Sequence, residues 1–247
     1  MNKNFAAIVA ALLLVEPVTG TVVAAQPGST ERVQFSQGAT STVIKGKIKG
    51  DGDIDYLVRA SAGQTLTVTM KTTNAQNYFN INPPGSDVSM FVANTSGNNF
   101  KGVLPTDGDY RVRVYLMRPA ARRNESSNYT LTISVTGKPL APVSSSVDAV
   151  IPGTNYHASA TINCTNSIEK KIGKCEAFVI RRGFDGTATV EVRLTDGFKR
   201  RILFVKGKPV SSDSPEKLST VRKGDINIVS LGTLERFEIP DTLVVGG

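Results

Sequence analysis

Few residues of this chain have the types and spacing that chemistry needs. The one histidine, His157, sits in "TNYHASA" with no nucleophile elbow and no Cys–His pairing nearby. Without a base beside a nucleophile, and without a Gly-rich phosphate cradle, the pattern points away from an enzyme. "DGDID" sets Asp51, Asp53 and Asp55 at alternate positions, like the first half of a calcium loop. That loop needs a glycine at its sixth position and a glutamate at its twelfth, where this chain has Tyr56 and Ala62. A solvated turn entering a strand is the expected structure, so no metal and no cofactor is assigned. Cys164 and Cys175 enclose only "TNSIEKKIGK" and lack the C-x-x-C spacing of redox sites. With a single histidine in the chain zinc is a poor fit, and a structural disulfide is expected.

What remains is "YLMRPAARRNESSN". Here Arg118, Arg122 and Arg123 are balanced only by Glu125, between strand patterns at 110–117 and 129–135. The segment reads as the tip of a hairpin. Arginine fills all three positions, and its planar fork captures carboxylates two bonds at a time, which lysine cannot do. Pro119, Ala120 and Ala121 make the tip stiff and slender. Such a loop is either a solvated hairpin end or a device for entering something acidic.

The elements that must position it are strands. Alternation of apolar and polar residues recurs in "VIKGKIKG", "IDYLVRA", "QTLTVTM", "VSMFV", "YRVRVYL" and "YTLTISV". Turn clusters such as "KGDGD", "NPPGSD" and "PTDGDY" separate them. No segment after the first 25 residues shows a helical period. Short strands with one polar face predict an all-β chain built on an antiparallel sandwich. Residues 138–153 are rich in Pro and Ser, a linker composition. Strand patterns resume at 154–247, with "RLTDGFKRR" as a hairpin turning at Asp196-Gly197. The expected organisation is a sandwich at 26–137, a linker, and a small disulfide-clipped β-domain.

Residues 1–25 read as a secretory signal: Lys3, an apolar run from Phe5 to Val15, and a small-residue site ending at Ala25. The run is shorter than the roughly 20 residues a membrane span needs, so export to the periplasm as a protein without a membrane span is expected. The formal net charge is +8 over the whole chain, and residues 26–137 hold 12 Lys+Arg against 8 Asp+Glu. The excess is diffuse, with no aromatic-interleaved basic groove, which argues against a nucleic-acid partner and for an anionic envelope component.

Three stretches carry a family resemblance. "ERVQFSQGATSTVIKGKIKGDGDIDYLVRASAGQTLTV", "YFNINPPGSD" and "GVLPTDGDYRVRVYLMRPAARRNESSNYTLTISV" resemble the periplasmic inhibitors of goose-type (g-type) lysozyme, over residues 31–136. "D-x-DY" with "AGQTLTV" is also similar to prepeptidase C-terminal-like sandwiches. The resemblance implies a non-enzymatic plug whose loops enter the substrate cleft of a g-type lysozyme. It implies lysozyme contacts at Arg118 and Arg122 and at Asp107 in the neighbouring turn; the fourth candidate position is Asp51, where family members carry an aromatic residue, a departure that removes the aromatic contact and sets an acid beside an acidic cleft. The ending "RFEIPDTLVVGG" is similar to a C-terminal module of exported bacterial proteins from which no activity carries over. The alternative function is a non-enzymatic module that binds cell-wall glycan; the absence of Trp gives it few stacking platforms.

Overall fold

The computed structural model describes residues 23–24, 28–165, 172–194 and 197–246. The expected signal and its cleavage position lie outside these residues, apart from Val23 and Ala24, and so does Asp196. The chain is all-β but for three helices of four or five residues among the described residues.

The first half contains β1 (Val23–Ala24), β2 (Ser29–Arg32), β3 (Ser41–Lys49), β4 (Asp53–Ala60), β5 (Thr65–Thr72), β6 (Asn77–Asn82) and β7 (Phe91–Val92). After the short helix α1 (Ala93–Ser96) come β8 (Asn99–Val103), β9 (Gly108–Leu116), α2 (Arg118–Arg122) and β10 (Ser126–Thr136). Two five-stranded sheets form, ordered β1-β3-β10-β5-β8 and β2-β4-β9-β6-β7. Their facing residues make one cluster, with Leu66, Val68, Leu131 and Ile133 from the first sheet against Ile54, Val58, Val112 and Phe79 from the second. Strand alternation turns every second side chain into this cluster. In β9, for example, Tyr110, Val112, Val114 and Leu116 are buried while Arg111, Arg113 and Tyr115 are part-exposed. Tyr129 leans over Gly46, and its hydroxyl meets that of Tyr56 at 2.7 Å. A side chain at position 46 would collide with the ring, since its first carbon would sit 2.3 Å from it.

The structure departs from the expected hairpin at 110–135. β9 and β10 belong to different sheets, and α2 carries the chain from one to the other. Alternation reports which face of a strand is buried and is silent about which sheet the strand joins. The connection is helical because Pro119, at its first turn, has a fixed φ suited to a helix start. Ala120 and Ala121 then turn inward and are buried in the core cluster. A five-residue helix is too short to display a period.

The second half forms a single eight-stranded antiparallel sheet from β11 (Ala158–Thr165), β12 (Gly173–Arg181), β13 (Ala188–Arg193), β14 (Lys199–Val205), β15 (Lys208–Ser212), β16 (Leu218–Lys223), β17 (Ile226–Leu231) and β18 (Glu235–Pro240). The order β15-β14-β13-β12-β11-β18-β17-β16 curls until β15 touches β16 and β17, so the sheet is nearly a barrel. It encloses its own cluster, including Val179, Val190, Ile202, Phe204, Val229, Phe237 and Ile239. α3 (Asp241–Val245) covers it with Leu243 and Val244.

Cys164 and Cys175 are joined as a disulfide, with Cα atoms 5.8 Å apart. Both are buried and tie β11 to β12. His157 is buried as well. Its Nδ1 accepts from the Arg181 backbone N–H at 3.0 Å, so Nε2 carries the proton and donates to the Val143 carbonyl, also at 3.0 Å. The lone histidine thus fastens the connecting segment to β12.

Closing a loop of this size stabilises by about 3 kcal/mol in the chain-entropy picture. The Cys164→Ser/Cys175→Ser double variant is therefore expected to lose about 2–4 kcal/mol in a denaturant titration of the second half's unfolding. An unchanged midpoint would show that the bridge is incidental to stability.

Candidate functional site

The sandwich has two ends. At one, the chain crosses from β3 to β4, from β5 to β6, and from β9 through α2 to β10. At the other, it crosses from β4 to β5 and from β8 to β9, and continues past β10 toward the second half.

The first end carries the arginines. Arg118 and Arg122 are four residues apart in α2, a spacing that sets two side chains side by side on a helix. Both are exposed, and neither side chain has a hydrogen bond or ion pair to another described residue. The opposite side of α2 is Ala120 and Ala121, buried at 0 % and 6 % exposure. The helix is thus nailed down from behind while its charged side faces solvent. Its exit is fixed equally well. Ala120 O accepts from Glu125 N, Ala121 O accepts from Asn124 N, and Asn124 takes the left-handed φ of 54° that ends many helices.

Arg123 behaves differently from its neighbours. Its Nε donates to Glu125 Oε1 at 2.7 Å, while Asn74 Nδ2 donates to Oε2 at 2.8 Å. The Asn74 amide, then the Arg123 guanidinium, hold the Glu125 carboxyl below its usual range. So the third arginine and the one acid of the segment are spent on each other and on the β5–β6 turn. The sequence shows the four charges but not this pairing, because Asn74 is 51 residues away from Glu125.

Asp51 is at the same end. Its turn is drawn against the exit of α2, where Gly50 N–H donates to the Glu125 carbonyl at 2.9 Å. Gly50 has φ +58°, and a side chain there would also come within 2.8 Å of Asn124 Oδ1. Asp51 itself is exposed. Asp53 and Asp55 point along β4, where Arg113 reaches both, with Nε and Nη2 each 2.7 Å from the Asp55 oxygens and Nε 3.3 Å from Asp53. A guanidinium therefore occupies the place a cation would need.

Asp107 lies at the other end, away from the arginines. Its Oδ1 accepts from the Ala62 N–H at 3.0 Å, and its Oδ2 from Arg182 Nη2 at 2.8 Å. Arg182 belongs to the second half, and its side chain is 0 % exposed. The same guanidinium donates from Nε to Thr189 Oγ1 at 2.9 Å and from Nη1 to the Leu140 carbonyl at 2.5 Å. The Thr189 hydroxyl in turn donates a hydrogen bond to the Pro105 carbonyl at 2.7 Å. Leu140 N–H donates to Ala62 O, and Val143 N–H to Arg181 O. The Pro- and Ser-rich connecting segment is therefore bonded to both halves, and the second half is docked at the end opposite Arg118 and Arg122.

No family model matches the chain. A curated relative, the inhibitor of g-type lysozyme of Escherichia coli K12, is 31 % identical over 128 residues, covering 51 % of this chain and 93 % of the relative. The chain belongs to the family of g-type lysozyme inhibitors. Solved structures that are similar include periplasmic inhibitors of g-type lysozyme from Aeromonas hydrophila, at 35 % identity and TM-score 0.41, and from Salmonella Typhimurium, at 26 % and 0.37. Each match covers 44 % of this chain, against 96 % and 99 % of the two inhibitors respectively. The rest of this chain thus lies beyond the inhibitors it matches.

Removing the Asp107 carboxylate would leave the buried Arg182 charge without its anionic partner. Breaking a fully buried pair costs about 3–5 kcal/mol. Asp107 is 33 % exposed, so Asp107→Ala is expected to cost about 2 kcal/mol, measured as a fall in the chemical-unfolding midpoint. A variant as stable as the parent would mean that Arg182 is held by its neutral partners alone.

Proposed function

We propose that this protein is a periplasmic inhibitor of a g-type lysozyme, and that α2 is the element that enters the enzyme's substrate cleft. The observation that carries the reading is the pair Arg118 and Arg122. They stand side by side, exposed and without partners among the described residues, on a helix whose other side is locked into the core. Every other arginine of residues 26–137 has a carboxylate within ion-pair distance. Family membership supports an inhibitory role, and the docking of the second half at the far end leaves α2 clear of it.

The physics suits the target. Glycoside hydrolases commonly work with carboxyl groups in a cleft. A guanidinium brought to a carboxylate there makes charge-assisted bonds in a partly dry site, where they are strongest. A rigid α2 loses little conformational freedom on binding. Asp51, on the adjoining turn, takes a place at the rim and sets which lysozymes are tolerated. The mechanism is occlusion, and the protein itself performs no chemistry. Export through the leader at 1–25, with cleavage after Ala25, removes the two-residue edge strand β1 and puts the inhibitor where a lysozyme would be met, and the disulfide fits that oxidising compartment.

Arg118→Ala and Arg122→Ala are each expected to weaken inhibition of a g-type lysozyme by about 2–5 kcal/mol, mainly through faster dissociation. Melting temperatures should stay within a degree or so, because surface changes away from structural partners alter stability by under about 0.5 kcal/mol. Arg123→Ala is expected to act through the Glu125 clamp, with a smaller effect on inhibition. Lytic assays with the three variants decide the matter. If the two first variants inhibit like the parent, or the parent inhibits no g-type lysozyme, the reading fails.

A further inference from the structure

The two outer faces of the sandwich are charged in opposite styles. On the sheet β2-β4-β9-β6-β7, cations and anions are matched: Arg32 and Arg59 with Asp109, Arg111 with Asp87 and Asp55, and Arg113 with Asp55 and Asp53. The sheet β1-β3-β10-β5-β8 has no such matching. Residues 26–137 contain five lysines, and all five project from its outer face: Lys45, Lys47 and Lys49 on β3, Lys71 on β5 and Lys101 on β8. All five are exposed, and none has an ion pair with a described residue. The other outward positions of β3, β5, β8 and β10 are Ser, Thr, Asn and Val, with no carboxylate among them.

Like charges gathered on one face repel each other, and the sandwich bears that cost with no internal anion to relieve it. The face also has a shaped site. A groove of about 320 Å3 runs over β10, lined by Lys45, Lys71, Thr73, Asn128 and Thr130. Lys45, Thr130 and Lys71 are direct cross-strand neighbours in one row. Two lysines therefore flank a shallow, open floor in which Thr73, Asn128 and Thr130 are set among the more apolar surface of Gly46 and Tyr129, and the lining contains no acid. That volume lies at the small end of ligand-sized clefts, which run from roughly 300 Å3 upward.

We propose that this groove is a second binding site, and that it takes a phosphate-bearing polysaccharide. Lysine at all five positions is the decisive detail. An ammonium is a compact point charge that follows a phosphate without demanding fork geometry. Thr73, Asn128 and Thr130 offer donors and acceptors to sugar hydroxyls. The row of lysines on β3 continues the positive track beyond the groove, as a polymer requires and a free phosphate does not. The site is separate from Arg118 and Arg122, so it does not depend on the lysozyme reading.

The test is titration of the purified full chain with phosphomannan, with neutral mannan and phosphatidylglycerol vesicles as parallel arms. Binding to phosphomannan alone is expected, weakening steeply with salt as counterions are released. Lys45→Gln/Lys71→Gln should weaken it by about tenfold at low salt, with unchanged melting temperature. Lys217→Gln/Lys223→Gln removes the same charge from exposed positions in the second half and should bind like the parent. No binding to phosphomannan, equal binding to neutral mannan, tighter binding to the vesicles, or equal losses in both double variants would each overturn the proposal.

Discussion

One guanidinium joins everything that this chain adds to the short inhibitors. Arg182 is fully enclosed, and its three nitrogens reach Asp107 in the first half, Leu140 in the connecting segment and Thr189 in the second. A buried charge is tolerated only when its donors are met, and here each nitrogen meets an oxygen. Because the partners are drawn from three separate stretches, the contact sets the position of the second half against the sandwich. The polar character of this junction is consistent with two halves that each keep their own apolar cluster.

That junction governs the rest of the surface. It consumes the end of the sandwich formed by the β4–β5 and β8–β9 turns. What remains open is the end with α2 and the two outer faces. At the open end the charges are sorted by role. Arg123 and Glu125 cancel each other while bracing the turn at Asn74, and Arg118 and Arg122 are left available. A plug of this kind needs stiffness behind and charge in front. Two buried alanines supply the first, and the helix spacing supplies the second.

Much of the fold was legible in the sequence because half-buried strands write their exposure pattern directly, as β5 and β9 do. The cysteine pairing was legible because there were only two candidates. The helical form of α2 was not, since five residues hold less than two turns of a helical period. The separation of Asp107 from the arginines was also hidden. Asp107 and Arg118 are close in the chain, but β9 lies between them and carries one to each end of the sandwich. The partner that claims Asp107 is 75 residues away, so nothing near Asp107 in the sequence announces it. The lysine face was half visible: β3 shows three of its members in alternation, while Lys71 and Lys101 join only when the sheet is assembled.

The route of the chain through the two halves bears on how each is made. In the sandwich, β3 and β4, β4 and β5, β5 and β6, β8 and β9, and β9 and β10 are all consecutive in sequence yet sit in different sheets. Among the described residues of this half, only β6 and β7 form a pair of consecutive strands. The second half is the reverse, with β11 through β15 and β16 through β18 each pairing with the next strand along. Distant pairings require large loops to close before any contact rewards them, whereas neighbouring strands zip with little delay. The meander thus has the topology of the quicker folder, although it follows the sandwich in the chain. Arg182, on the turn after β12, is held by Thr187 and Thr189 of the meander itself, so its placement rests on local pairings and not on the long-range ones of the sandwich it meets.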